Sequence, residues 1–68
     1  MNTEILKGNW KQFRGEIQKQ WGKLTNDDMD VINGEYDKLV GRLQERYGWE
    51  KERAERALTD YFDRQRTV

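Results

Sequence analysis

"GNWKQFRGEIQKQWG", residues 8–22, carries its large apolar side chains at Trp10, Phe13, Ile17 and Trp21. At about 100° per residue these fall on one stripe, which Leu6 joins if the helix starts earlier, so the stretch predicts an amphipathic helix. The same stretch places a glycine at Gly8, Gly15 and Gly22, a regular seven-residue spacing. A glycine inside a helix costs about 1 kcal/mol relative to alanine, so the repetition calls for an architectural reason.

Shifting the chain against itself by 26 residues lays this stretch on "GEYDKLVGRLQERYG", residues 34–48. Gly8, Gly15 and Gly22 then meet Gly34, Gly41 and Gly48. Trp10 meets Tyr36, Phe13 meets Leu39, Ile17 meets Leu43, Gln18 meets Gln44 and Trp21 meets Tyr47. The register continues more weakly, with Val31 on Ala57 and Ile32 on Leu58. We read an internal duplication of a helix pair. Tyr36, Leu39, Val40, Leu43 and Tyr47 form the apolar stripe of the second copy.

Gly22 and Gly48 follow the last aromatic of each stripe, where a left-handed residue ends a helix, and Gly34 after Asn33 marks a turn. Gly15 and Gly41 lie away from the stripes. A missing side chain there lets another backbone, a large ring or a partner come close. The first expectation is that the other half of the duplicated fold crosses at these two glycines; the second is a partner site.

The second helix of each unit has its own start signals. In "GKLTNDDMDVING", Thr25 is an N-cap with Asp28 three residues on, a capping-box variant, and Leu24 with Met29 fits a hydrophobic staple. Asp27, Asp28 and Asp30 suit the positive end of the helix dipole. They lack the central glycine and distal glutamate of a calcium loop, so no metal site is read here. In the last segment, Ala54, Ala57, Leu58, Tyr61 and Phe62 line an apolar face, and Trp49 is placed to staple onto Ala54.

The expected fold is therefore all-α: a four-helix orthogonal bundle of two similar helical hairpins, with helices at 3–21, 26–33, 35–47 and 51–63. Residues 1–63 form one domain and 64–68 a frayed tail. Sixty-eight residues leave room for one domain at most.

There is no cysteine and no histidine, so thiolate chemistry and the commonest general base are excluded. The longest apolar runs are pairs, so neither a membrane span nor a signal peptide is expected, and the chain reads as soluble and cytoplasmic. Basic and acidic side chains number 13 each. They are not evenly spread. Residues 1–25 carry a net +3, residues 26–37 a net −5 and residues 38–68 a net +2.

"GNWKQFRG", "QWGKLTNDD" and "GEYDKLVGRLQERYG" resemble the CsbD-like family of small bacterial proteins, over about residues 8–58. The resemblance implies a compact all-helical fold and membership of a general stress response, with expression raised under starvation or osmotic challenge. It brings no catalytic or binding residues to carry over. "EILK" near the start and "WEKERAERALTDYFDRQRTV" at the end depart from the family pattern.

An enzyme is not expected. Every carboxylate has basic neighbours on a polar helix face, no glycine-rich phosphate loop is present, and no cofactor is called for. The favoured reading is a protein of the stress response acting by binding or protection, through protein contact, self-association or contact with a membrane surface. The candidate interaction face is Lys11, Gly15 and Lys19 in the first helix with Gly41 and Glu45 in the third. The alternative is a weak nucleic-acid-binding module using Lys7, Lys11, Arg14, Lys19 and Lys23. The opposing fact is that Trp10, Trp21, Tyr36 and Tyr47 sit on core stripes, where bases cannot stack on them.

Overall fold

The computed structural model describes residues 3–66. Its most clearly specified helix start is at Thr25, which stands in extended backbone (φ −94, ψ 169). Thr25 Oγ1 accepts the Asp28 N–H at 3.1 Å, and the Thr25 N–H donates to Asp28 Oδ2 at 2.9 Å. This reciprocal cap satisfies two backbone donors that a helix start otherwise leaves unpaired.

Five helices follow in chain order: α1 Thr3–Gly8, α2 Trp10–Gln20, α3 Asn26–Ile32, α4 Tyr36–Tyr47 and α5 Lys51–Arg66. The all-α class stands; the expected count of four does not. The segment read as one helix over 3–21 is divided at Asn9, which leaves helical geometry (φ −115, ψ 27). Its backbone N–H and its Nδ2 both donate to the Ile5 carbonyl, at 3.0 and 3.2 Å. An asparagine side chain offers the backbone such alternatives, and the adjacent Gly8 weakens the helix that would resist them. α5 runs to Arg66, three residues beyond its expected end, so residues 64–66 of the expected tail are helical. Thr67 and Val68 lie outside the described residues.

The α2 terminus also differs from expectation. Trp21, not Gly22, is the C-cap, and its N–H bonds the Ile17 carbonyl at 2.8 Å. Among the described glycines only Gly34 (φ 81) and Gly48 (φ 69) have positive φ. Gly48 closes α4 in the left-handed form, as expected, and Asn33 (φ 45) with Gly34 turns the chain sharply from α3 to α4.

Helices adjacent in the chain pack on one another, and α5 returns to α2 through rings. Phe13 meets Phe62 edge-on at 5.7 Å and Trp21 meets Tyr61 at 5.1 Å. The core draws on every helix: Leu6 from α1, Trp10 and Ile17 from α2, Met29 and Ile32 from α3, Leu39, Val40 and Leu43 from α4, and Ala54, Leu58, Tyr61 and Phe62 from α5. Trp21 and Leu24 join it from the α2–α3 connection. Phe13, Tyr36, Tyr47 and Ala57 are half-buried against it. The apolar stripes read from the sequence are thus the buried faces. Trp49 also packs on this core, but its ring stacks on Tyr47 at 4.6 Å.

Candidate functional site

α2 and α4 each carry a glycine on the side away from the core. On α2, Lys11, Gly15 and Lys19 are all exposed. They recur every four residues, which places them along one outward stripe. On α4, Gly41 is half-buried and Glu45 exposed. A Cβ built on Gly15 or Gly41 would have no neighbour within 4 Å. The expected internal crossing at these glycines is therefore absent. The two halves do approach closely at a glycine, but it is Gly34. A Cβ there would lie 2.8 Å from Lys7 Cα and 3.3 Å from Trp10 Cβ, so the junction of α1 and α2 seats on the α3–α4 turn where a side chain is missing.

The structure accordingly leaves both glycines uncovered, one on each helix. Extending the α4 patch by the same four-residue step adds Asp37, which is exposed. Asp37, Gly41 and Glu45 are the positions that Lys11, Gly15 and Lys19 meet at the 26-residue shift. The signal for Asp37 lies in the polar positions of the repeat, which match in spacing as the apolar ones do. Among the described residues Lys11, Lys19 and Asp37 make no ion pair, while Glu45 Oε2 accepts from Arg42 Nη1 at 2.9 Å.

Among the described residues the one buried charged side chain is Asp28, with 2% of its surface exposed. Besides closing the cap with Thr25, its carboxylate receives Arg46 in a two-pronged pair, Nε to Oδ2 at 2.8 Å and Nη2 to Oδ1 at 2.9 Å. Arg42 Nη1 stands 3.7 Å from Oδ1. The Arg46 hydrogen bonds outweigh the burial penalty and, with help from Thr25, hold the Asp28 pKa down at about 2. A carboxylate so fully engaged is no acid–base catalyst; it joins α3 to α4. The sequence shows the cap but not Arg46, which lies 18 residues away on another helix.

Aromatic rings are also engaged. Trp10 and Trp21 are buried, while Tyr47 and Trp49 stack on each other, with Lys23 5.1 Å from the Tyr47 ring centre and Arg53 5.1 Å from that of Trp49. No base-stacking platform of the kind single-stranded nucleic acids use is left free among them. Among the described residues no group of carboxylates is placed to hold a metal ion, and no helix is long and apolar enough to cross a membrane. The surface grooves are open. One between α2 and α5 is lined by Asn9, Gln12, Phe13, Glu16 and Tyr61.

Comparison with known proteins places these features in a wider group. Residues 4–56 match the CsbD-like family. The chain is 53% identical over 64 residues to the UPF0337 protein YjbJ of Escherichia coli, which covers 94% of this chain and 93% of that protein. It is 55% identical to YjbJ of Salmonella typhimurium over 94% of this chain and 91% of the relative. A UPF0337 protein of Pectobacterium atrosepticum is 57% identical, with 93% and 91% covered.

Proposed function

The chain belongs to the CsbD-like family, and from that premise we propose that it serves the bacterial stress response in the cytoplasm by binding, not by catalysis. The stress role is what the family resemblance implies. In this reading the fold is two related helical hairpins packed orthogonally, with α1 as a lead-in to the first. The outward patches Lys11–Gly15–Lys19 and Gly41–Glu45 are the working surface.

The observation that carries the reading is that Gly15 and Gly41 have open space where their side chains would be. Each weakens its helix by about 1 kcal/mol with no packing inside the chain to require it. A surface met by another molecule gives them a use. Asp28, the buried carboxylate that catalysis would call on, is committed to Arg46 and Thr25.

The test is complementation of a deletion strain with Gly15→Leu/Gly41→Leu under osmotic shock and starvation. The variant is expected to fold with unchanged helicity and to leave survival at the level of the deletion. Survival equal to wild type, or a deletion without a survival defect, overturns the reading.

A further inference from the structure

The two outward stripes are matched in spacing and opposite in charge. On α2, Lys11 and Lys19 stand four residues to either side of Gly15; on α4, Asp37 and Glu45 stand four residues to either side of Gly41. At about 1.5 Å rise per residue, each pair of charges is separated by about 12 Å along its helix, with the glycine at the midpoint. We propose that the partner of each stripe is the other stripe on a second copy of this chain: α2 of one molecule docks on α4 of the next, Gly15 over Gly41. This rests on the reading of these faces as the working surface and names what covers them.

Charge, spacing and open space together support this docking. The stripes do not pair within one molecule: among the described residues no ion pair joins Lys11 or Lys19 to Asp37 or Glu45, and beyond the helix's own backbone nothing stands within 4 Å of a Cβ at either glycine. Placed together, the two glycines let the helix axes come nearer than the usual 8–10 Å or so, and the flanking charges then fall opposite one another in either direction of approach. Lys11, Lys19 and Asp37 have no ion-pair partner among the described residues to give up. Glu45 shares Arg42, which also stands 3.7 Å from Asp28 and so keeps a carboxylate when Glu45 turns outward. The whole chain has zero net charge, so no long-range repulsion opposes association, while its local segregation, +3 over residues 1–25 and −5 over residues 26–37, steers opposite ends together. A pairing of unlike patches joins molecules head to tail. The contact is small and its pairs are exposed, so the association is weak, concentration-dependent and sensitive to salt.

Sedimentation velocity over a concentration series tests this with two charge-swapped variants. Lys11→Glu/Lys19→Glu makes both stripes acidic, and Asp37→Lys/Glu45→Lys makes both basic. The wild type is expected to associate at low salt and dissociate at high salt. Each variant alone is expected to associate at least about tenfold more weakly. An equimolar mixture of the two is expected to regain association in alternating order, beginning with a heterodimer, because each acidic stripe of one variant is complementary to the basic stripes of the other. Gly15→Leu, which keeps every charge, is expected to block association without loss of helicity. A wild-type chain that stays monomeric at low salt, or a mixture that shows no heterodimer while both variants are folded, overturns the proposal. If the wild type stays monomeric while Gly15→Leu/Gly41→Leu still abolishes stress survival, the self-docking falls and the working-surface reading stands.

Discussion

Asp28 and Ala54 stand 26 residues apart, near the starts of α3 and α5, and both are buried. Asp28 binds Thr25 and Arg46; Ala54 is a small apolar contact between helices. The same shift links Gly22 to Gly48, yet only Gly48 adopts the left-handed form. It links Gly8 to Gly34, yet only Gly34 lies against a neighbouring backbone. At the centre the paired apolar positions agree, with Ile17 and Leu43, and Ile32 and Leu58, all fully buried. The difference between the halves teaches that the apolar period specifies where the core is. Each half then fixes its own geometry with polar and glycine anchors that the other does not share.

Exchanging anchors between the halves is the strongest way to break this comparison. Ala54→Asp places a carboxylate in the apolar core, at a fully buried position, and is expected to cost more than about 3 kcal/mol, enough to unfold the chain in a chemical denaturation series. Asp28→Ala loses the cap and the ion pair, but leaves Arg46 with 41% of its side chain in solvent, so a smaller loss of about 2 kcal/mol is expected. Equal losses from the two would erase the asymmetry.

Gly34→Ala is expected to cost about 2 kcal/mol, since it meets Lys7 Cα at 2.8 Å and must hold φ 81, whereas Gly8→Ala is expected to be neutral or stabilising. Thermal unfolding of the two single variants checks the contrast.

Acid titration sharpens the same point. Asp28 is held well below its ordinary value of 3.8, at about 2, so the folded state favours its ionised form. Its contribution is complete above the unfolded pKa and is lost as the pH falls from about 4 toward 2. Allowing for the solvent around Arg46, about 1–2 kcal/mol disappears in that window. Asp28→Asn should flatten that part of the stability–pH curve; an unchanged slope would assign acid sensitivity to other carboxylates.

The smallest expected effect is a gain. Gly15→Ala and Gly41→Ala should each stabilise the isolated chain by about 0.5–1 kcal/mol, because each removes a helix-interior glycine into open space. A loss at either would restore an internal contact at that glycine.

Helix positions and core membership were legible because they follow from period: one phase through Trp10, Ile17 and Trp21 predicts which faces are buried. The Thr25 cap was legible because it is closed within three residues. Arg46 was not, since nothing in "GRLQERYG" distinguishes an arginine reaching a buried carboxylate from one pointing into water. The break at Asn9 was masked by an apolar stripe that continues through it. The glycines were misassigned in a specific way. Their spacing suggested a single purpose at Gly15 and Gly41, but close approach is decided by where another segment passes, and that segment is Lys7 to Trp10 over Gly34. On the candidate face, Lys11, Gly15, Lys19, Gly41 and Glu45 were legible as outward positions. Their opposite sign on α2 and α4, with Asp37 added, is carried by the polar positions of the 26-residue match.

The chain-order packing of the five helices has a kinetic consequence. Each helix finds most of its partners in the segment just before or after it, so little loop entropy is spent before contacts form, and such chains collapse to their native state in microseconds to milliseconds. With no proline to isomerise and no thiol to mispair, neither of those slow steps can hold the chain in a misfolded form. Refolding after heating is therefore expected to need neither a prolyl isomerase nor a disulfide isomerase.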